Sequence, residues 1–407
     1  MDFNDTPELA SFRSEIRQWL AANARTELPE GVKYGGEAIY AVAKEWYKKT
    51  AEAGYACLDW PKEYGGAGLT PLHKVVWAQE VANYAEPDSY FVIGIGNCGP
   101  AVTHFSDEKL KQRLLPRMAS ADDVWCQLFS EPSAGSDLAG LRTQAVQQDD
   151  GSWRINGQKI WTSGANHSDY GVVLCRTDTS VSKYKGLTMF ILDMKQPGVT
   201  VKPIKQMDGN QHFNEVFFSD AEIPDAYRLG EVNQGWGAAL LVLMNERMAI
   251  TAVAPDGFDR FLEFVKSAEI AGQLLCDDPQ VRDRLAHWYS QHAGVDASYM
   301  RMLTAVSKGG MPGAEGAVGK LIGGRMNQDI ANFTLSLMGE AGAVHDAATA
   351  MEQAYFQDAA LFSPGIRLAG GTDEIMRNII AEQILGLPQE PRADKGVAFK
   401  DIPSGNG

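Results

Sequence analysis

Residues 127–138 read Gln-Leu-Phe-Ser-Glu-Pro-Ser-Ala-Gly-Ser-Asp-Leu, and they overlap the end of a short apolar run, Val124 to Phe129. The stretch places serine hydroxyls and acidic side chains around a Gly/Pro turn directly after a predicted strand. Backbone N–H groups and serine side chains at such a turn can converge on an anionic or carbonyl-rich ligand. The stretch is therefore a candidate binding segment, and a plain β-turn is the alternative that this segment alone leaves open.

A second segment of this kind, residues 156–164, reads Asn-Gly-Gln-Lys-Ile-Trp-Thr-Ser-Gly and puts a large aromatic between a hairpin turn and two hydroxyls. Both segments lie where short runs of Val, Ile, Thr and aromatic residues alternate with Gly, Asn, Asp and Pro. That spacing predicts an antiparallel β domain of about 110 residues. The predicted strands are Val124–Phe129, Trp153–Ile155, Gly171–Arg176, Leu187–Asp193, Val199–Ile204 and Glu215–Phe218.

The β region is flanked on both sides by sequence with helical periodicity. Near the start, Thr6-Pro7 is a plausible N-cap and first helical position, and apolar residues then recur at spacings of three and four. The predicted helices include Ala41–Ala53, Leu72–Tyr84, Ser106–Leu115 before Pro116, Val281–Met302, Ala314–Leu337 and Ala347–Asp358. The tail from Pro391 is rich in Gly and Pro at its end, so we expect it to be frayed.

The composition disfavours several classes of function. With 37 Lys and Arg against 52 Asp and Glu, the net charge is −15, and nucleic-acid binding rests on basic contacts. No apolar run approaches the roughly 20 residues that span a bilayer, and the first 20 residues lack the features of a signal peptide. The five cysteines show no CxxC pair and the seven histidines no HExxH spacing, so we expect neither disulfides nor a metal site. The sequence predicts a cytoplasmic, soluble protein of two or three domains.

Two further features are weaker signals. Gly94 to Gly99 read Gly-Ile-Gly-Asn-Cys-Gly and match the dinucleotide fingerprint GxGxxG, which requires a preceding strand and a following helix. Here the surroundings are helical and Pro100 follows, so close helix packing through small residues is favoured. His167 and His212 lie in the β region, where ordinary surface or core histidines are favoured over pocket residues.

Four motifs in order resemble the acyl-CoA dehydrogenases, the FAD-dependent family with an α, β, α three-part fold. The matching residues are Glu131–Asp137, Asn156–Trp161, Gly230–Trp236 leading into Asn245-Glu246-Arg247, and Gly370–Ile375 followed by Leu385–Pro388. The resemblance covers all of the chain except the tail. It implies an α+β fold with an N-terminal helical domain (1–122), a middle antiparallel β domain (123–232), a C-terminal helical bundle (233–392) and a tail (393–407).

The resemblance also implies how FAD is bound. Phe129 and Ser130 match positions at the pyrimidine side of the isoalloxazine, and Trp161 and Ser163 match positions near its ring face and N5. Ser136 matches a position that meets the CoA portion of the substrate. Thr372 and Glu374, before a helix, match positions at the pyrophosphate and ribityl part, in line with phosphate binding at helix N-termini. The expected cofactor residues are Gln127, Phe129, Ser130, Ser136, Trp161, Thr162, Ser163, Gln280, Thr372 and Glu374.

The family supplies its catalytic base from one of two positions. The loop position before the C-terminal Gly-Thr pair is Gly370, which cannot act, and the helix position is Glu246. The apolar neighbours Leu243 and Met244 favour a buried base over a solvent-facing acid paired with Lys or Arg, because burial raises a carboxylate's pKa toward neutral pH. Arg247 is expected either to hold the CoA portion or to brace the helix.

One segment departs from the family pattern. Where many members carry Arg and a Phe-Gly pair that reach the neighbouring subunit's FAD, this chain has Ala268–Gly272, and the Gln that follows corresponds to Gln280. The departure puts the cross-subunit contacts in question and suggests a divergent branch. We expect a homodimer or homotetramer, with a heteromer as the alternative.

The sequence therefore predicts α,β-dehydrogenation of an acyl-CoA to a trans-2-enoyl-CoA, with Glu246 as base and flavin N5 as hydride acceptor. An electron-transfer flavoprotein is the expected electron acceptor, and fatty-acid β-oxidation or steroid side-chain catabolism the expected context. Two alternatives are kept. One is a non-catalytic partner subunit of a heteromeric dehydrogenase, which the missing Arg and Phe favour. The other is a flavin monooxygenase on the same fold, which needs no carboxylate base.

Overall fold

The computed structural model describes residues 5–32, 36–252, 256–270, 272–308 and 313–403. Along the chain, helices are followed by a β-sheet and then by helices again, which confirms the predicted α+β fold class. The described residues form two compact units, one from residues 2–246 together with those from 391 onward, the other from residues 247–390. The domain boundaries expected near residues 122 and 233 stay a prediction.

The N-terminal region is a set of helices with well-defined starts. These are α1 (Pro7–Asn23), α2 (Ile39–Glu52), α3 (Pro71–Val81), α4 (Gly99–Phe105) and α5 (Glu108–Ala119). The Thr6 hydroxyl accepts from the Leu9 N–H at 3.3 Å, as the Thr6-Pro7 pair predicts. The prediction that Pro116 stops a helix is wrong, because α5 continues through it. Met118 and Ala119 are buried, and their burial offsets the hydrogen bond that a proline removes.

One sheet of eight strands forms the middle of the chain. Its strands are β1 (Trp125–Leu128), β2 (Gln144–Gln147), β3 (Trp153–Ser163), β4 (Tyr170–Arg176), β5 (Leu187–Asp193), β6 (Val199–Pro203), β7 (Phe213–Ile223) and β8 (Arg228–Leu229). The order is β6-β7-β3-β2-β4-β5-β8, with β1 beside β4. The prediction of a purely antiparallel sheet needs one correction, since β1 and β2 both pair with β4 in parallel. The long connections from β1 and β2 to β4 permit this, whereas a short hairpin would not.

The central strand β4 is buried on both faces of the sheet. Val172 and Leu174 pack into one apolar cluster, together with residues of α4 and α5. Val173 and Cys175 pack into a second cluster, which fills the other face. Because successive strand residues point to opposite faces, this pattern gives β4 a continuous apolar sequence. The sheet is thereby a rigid support for the segments at the ends of its strands.

The second unit is helical. It contains α7 (Asp256–Ser267), α8 (Pro279–Ser307), α9 (Gly316–Met338), α10 (Tyr355–Ile366) and α11 (Asp373–Ile379), and it follows α6 (Gly235–Ala252), which begins in the first unit. Phe261, Trp288 and Phe356 lie in its core cluster. The predicted helix Ala347–Asp358 is wrong in its first half. Glu352, Gln353 and Ala354 have left-handed backbone conformations, so the helix begins at Tyr355.

The described part of the C-terminal tail, which ends at residue 403, is anchored at Phe399 and Lys400, although the sequence predicted a frayed tail. The Phe399 N–H donates to the Val181 carbonyl at 2.8 Å and the Lys400 N–H to the Thr179 carbonyl at 3.0 Å. The buried ring of Phe399 lies 3.9 Å from the guanidinium of Arg176. One buried aromatic and two backbone hydrogen bonds thus anchor the tail on the β region. Within the described part of the chain, no helix is both long and apolar enough to cross a membrane.

Candidate active site

The two segments singled out in the sequence meet at the end of the sheet. The Ile160 N–H donates to the Ser130 carbonyl at 2.9 Å, which joins β3 to the turn after β1. Lys159, whose side chain is fully buried, donates from Nζ to the Phe129 carbonyl and to Glu131 Oε1, both at 2.9 Å. These bonds fix Ser130 next to the residues that precede Trp161.

Glu131 is held by donors on every side. Its Oε1 also accepts the Thr143 N–H at 2.9 Å, and its Oε2 accepts the Arg142 N–H at 2.7 Å. Burial alone would raise the pKa of Glu131, but the charge of Lys159 and these donors lower it below the usual 4.5. An ionised, fully bonded carboxylate is a poor proton acceptor. The acid of this motif therefore holds the turn in place, and the base has to come from elsewhere.

Trp161 lies on the surface in a strained backbone conformation. Its φ is +61°, in the left-handed region, and 56% of the residue is exposed. The pairing of β3 with β7 shifts register between Lys159 and Thr162, so Trp161 lies on a bulge. Bulges commonly re-aim a side chain near a functional site, and a left-handed non-glycine residue costs free energy that the surrounding structure must supply. An exposed indole held in this way suits a ligand with a flat aromatic face.

The remaining expected residues of the β region differ in accessibility. Thr162 is buried, and its hydroxyl has no hydrogen-bond partner among the described residues. Ser130 and Ser163 are half-buried. The side chain of Phe129 lies in the core, so its backbone is the part that borders the turn. An orphaned buried hydroxyl between Trp161 and Ser163 is consistent with a polar ligand edge at this position.

Ser136 is exposed on the loop after β1, and the next residue anchors that loop. Lys183 Nζ donates to the two carboxylate oxygens of Asp137 at 2.7 and 2.9 Å. The same ammonium lies 2.5 Å from a carboxylate oxygen of Asp394 in the tail. Sequence reasoning did not single out Lys183 or Asp394, because no local pattern marks residues that meet only through the tertiary fold.

Glu246 is half-buried near the end of β1. Its Oε2 accepts a hydrogen bond from Gln127 Nε2 at 3.1 Å. Gln127 Oε1 in turn accepts from Asn97 Nδ2 at 3.2 Å. The expected base and the first residue of the opening motif are therefore in direct contact, and Asn97 extends the contact by one residue. Asn97 was missed as a site residue, although it lies within the GxGxxG match.

The GxGxxG match itself forms a π-helical turn, Ile93–Cys98, followed by α4. A Cβ at Gly94 would lie 3.1 Å from the Cβ of Trp125 in β1, and one at Gly99 would collide with Trp60. Among the described residues before the turn there is no strand, so these glycines provide close packing, which is the interpretation that the sequence favoured. The turn is thereby brought against β1.

The expected residues of the second unit lie around a glycine-rich turn and at a helix start. Gly370 and Gly371 both have positive φ, and the Thr372 hydroxyl accepts the Ile375 N–H at 3.3 Å as the N-cap of α11. Glu374 is exposed in the first turn of α11, and its backbone N–H and the Thr372 side chain lower its pKa. Gln280 is exposed in the first turn of α8. The side chain of Arg247 lies outside the described residues.

A cavity of about 460 Å³ lies elsewhere on the β region. It is lined by residues that include Arg154, Asp193 and Tyr227, and no candidate site residue borders it. His167, which was expected to be an ordinary histidine, stacks on Tyr40 with ring centroids 4.1 Å apart. Neither the cavity nor the stacked His167 ring is therefore part of the candidate site.

Family models match three successive parts of the chain. They describe the acyl-CoA dehydrogenase N-terminal domain over residues 6–122, the middle domain over 126–221 and the C-terminal domain over 233–385. The acyl-CoA dehydrogenase IpdE1 of Mycobacterium tuberculosis is 34% identical over 394 residues, which cover 95% of this chain and 99% of the relative. FadE34 of the same organism, also an acyl-CoA dehydrogenase, is 36% identical over an alignment that covers 95% of this chain and 50% of FadE34.

Solved structures agree with these relatives. The ChsE4-ChsE5 complex from Mycobacterium tuberculosis matches with a TM-score of 0.82 at 28% identity, over 96% of this chain and 100% of that one. The Tcur3481-Tcur3483 steroid ACAD matches with a TM-score of 0.82 at 29% identity and the same coverage. The chain therefore belongs to the acyl-CoA dehydrogenase family of oxidoreductases.

Proposed function

We propose that this protein is an FAD-dependent acyl-CoA dehydrogenase in which Glu246 removes the α-proton of the acyl group. The observation that carries the proposal is the half-buried Glu246 carboxylate, which is bonded to Gln127 at 3.1 Å, three residues before Ser130. Gly370 has no side chain to offer at the alternative position. Glu131, the acid of the nearby motif, is already bonded on both oxygens.

The residues of the β region fit a flavin. The exposed indole of Trp161 offers a flat apolar face, and Thr162 offers a buried hydroxyl without a partner among the described residues. Ser130 and Ser163 would bind the polar edge of the ring, with the Phe129 backbone beside them. Gln127, expected from the sequence as a cofactor residue, is bonded to Glu246 and would hold that carboxylate rather than the flavin. Thr372, Glu374 and Gln280 would hold the rest of FAD. When bound, FAD accepts the hydride that leaves the β-carbon of the substrate.

The chain's own part in the reaction is to take and hold a proton. A Glu246 oxygen accepts the proton of the α-C–H bond, and the electron pair of that bond forms the new α,β double bond. The β-carbon loses its hydrogen with both electrons, so the substrate is oxidised by two electrons to a trans-2-enoyl-CoA. Electrostatic effects that acidify the α-C–H bond are stronger where water is excluded from the reacting atoms. Ser136, and Arg247 in one of its two roles, would bind the CoA portion.

We propose a bulky acyl group, such as a steroid-derived side chain, over a short straight chain. The support is the similarity to the solved steroid ACAD, together with a base on a helix. An electron-transfer flavoprotein remains the proposed electron acceptor, and the cytoplasm the proposed location. For the assembly, the ChsE4-ChsE5 structure contains two different subunits, which supports a heteromer as the second candidate beside a homodimer or homotetramer.

A panel of CoA thioesters with an artificial electron acceptor tests the proposed function. We expect the purified protein to be yellow, to contain FAD, and to turn over at least one branched, cyclic or steroid-derived thioester. A colourless protein that shows dehydrogenase activity only when a second subunit is added would instead favour the non-catalytic partner subunit. Oxygen consumption with incorporation of oxygen into the product would favour the monooxygenase.

A further inference from the structure

The π-helical turn Ile93–Cys98 carries a buried side-chain amide that is linked by hydrogen bonds to the candidate base. Asn97 is 4% exposed, and its Nδ2 donates to Gln127 Oε1 at 3.2 Å. Gln127 Nε2 then donates to Glu246 Oε2 at 3.1 Å. Three side chains from three separate segments, residues 97, 127 and 246, thus form one hydrogen-bonded row that ends on the carboxylate.

The order of donors and acceptors along this hydrogen-bonded row is fixed by the carboxylate at its end. An ionised carboxylate can only accept, so the Gln127 amide must present its NH₂ to Glu246 and its carbonyl to Asn97. Asn97 must then present its own NH₂ to Gln127. The arrangement leaves Asn97 Oδ1 buried without a partner among the described residues. A buried acceptor without a partner costs free energy, and such costs persist where the surrounding structure enforces them.

The turn that carries Asn97 has the features of a built support. π-Helical turns are rare, and those that occur are frequently at functional sites. Gly94 allows this one to approach Trp125 of β1 within van der Waals distance. Burial raises the pKa of the neighbouring Cys98 thiol, and nearby charge, including that of Glu246, adds to that shift.

We propose that Gln127 and Asn97 are positioning residues that hold the Glu246 carboxylate for proton abstraction. The inference rests on the proposed role of Glu246 as base. Gln127 fixes the orientation of one carboxylate oxygen, which limits the rotation of the side chain. Asn97 fixes the Gln127 amide. Misplacing a catalytic group by about 1 Å can cost on the order of 100-fold in rate, so the row affects catalysis without touching the substrate.

The test replaces Gln127 by Leu, which keeps the size but removes the amide. We expect kcat to fall by about tenfold or more, the scale of a hydrogen bond to a charged group, with KM within about twofold and FAD content unchanged. Gln127→Asn keeps the amide but shortens the side chain, so it should lose a similar factor. It also replaces the Leu variant should that one fail to fold. Asn97→Ala should lose less, and nothing further once Gln127 is Leu.

The matched control is Gln112→Leu, which removes a Gln–Glu hydrogen bond of 3.1 Å to Glu108 on α5, outside both site segments. It should leave kcat unchanged. The decisive comparison repeats Gln127→Leu in a Glu246→Gln background, where the effect on kcat should vanish because there is no base left to position.

Several outcomes would overturn the proposal. A stability loss with unchanged kcat would make the row structural only, and a drop in FAD content would assign Gln127 to the flavin directly. An equal loss of kcat in the Glu246→Gln background would show that Gln127 acts by another route. If Glu246→Gln is fully active, the base assignment and the row fail together. If Glu246→Gln is inactive while Gln127→Leu is normal, only the row fails.

Discussion

Replacing Lys159 by Met tests whether the buried pair with Glu131 supports the site. Lys159 is fully buried and binds both the Phe129 carbonyl and Glu131. The substitution keeps the aliphatic stem but leaves Glu131 buried with only two backbone N–H donors. Removing one partner of a buried ion pair typically costs about 3–5 kcal/mol. We expect the low end, about 3 kcal/mol, because those two donors remain.

The assay is urea denaturation of the full chain at neutral pH, followed by fluorescence and circular dichroism. The midpoint of the transition that reports on the β region should shift to lower urea, and FAD retention should fall because Ser130 and Trp161 lose their fixed spacing. Lys185→Met is the matched control, since Lys185 is exposed, and it should stay within about 0.5 kcal/mol of wild type. A Lys159→Met protein as stable as wild type would refute the structural role assigned to the pair.

Three further predictions concern the β region. The pKa of Glu131 is lowered from 4.5, so the ionised carboxylate stabilises the fold above pH 4.5, and this stabilisation is lost as the pH falls through the pKa of the folded state. The difference in unfolding free energy between wild type and Glu131→Gln should therefore shrink in acid. A difference that stays constant with pH would contradict this prediction. Trp161→Ala should lower the flavin content of purified protein while Trp161→Phe retains most of it, and equal content in wild type and the Ala variant would count against the indole face. Phe399→Ala should cost about 3 kcal/mol and release the tail to limited proteolysis, whereas unchanged protease resistance would show that the tail is held by other contacts.

The motifs could be predicted because they are local in sequence. Glu131–Asp137 and Asn156–Trp161 are two of the four ordered motifs that together indicate the candidate site, and the structure joins them through the Ile160–Ser130 backbone bond and the side chain of Lys159. The function of Glu131 and Lys159 could not be predicted in the same way. They are 28 residues apart, and only the tertiary fold brings the turn after β1 against β3.

The features that sequence reasoning missed depend on packing. Asn97 lies in the GxGxxG match, which is a packing turn and not a dinucleotide site because Gly94 packs against Trp125. Phe399 is a single aromatic in a polar tail, and only its contact with the buried guanidinium of Arg176 makes it an anchor. Pro116 has a strong local tendency to end a helix, which the burial of the following residues overrides. In each case a tertiary contact outweighs the local signal.

The central claim is that Glu246 is the base, and flavin reduction in a single turnover tests it most directly. Wild type and Glu246→Gln are mixed anaerobically with the best thioester of the panel, and flavin absorbance is followed. The Gln side chain keeps the size and can still accept from Gln127, so FAD content and thioester binding should be retained. The account predicts a reduction rate lower by roughly 10² to 10⁴, the scale of a general base. A variant that reduces its flavin as fast as wild type would contradict the account.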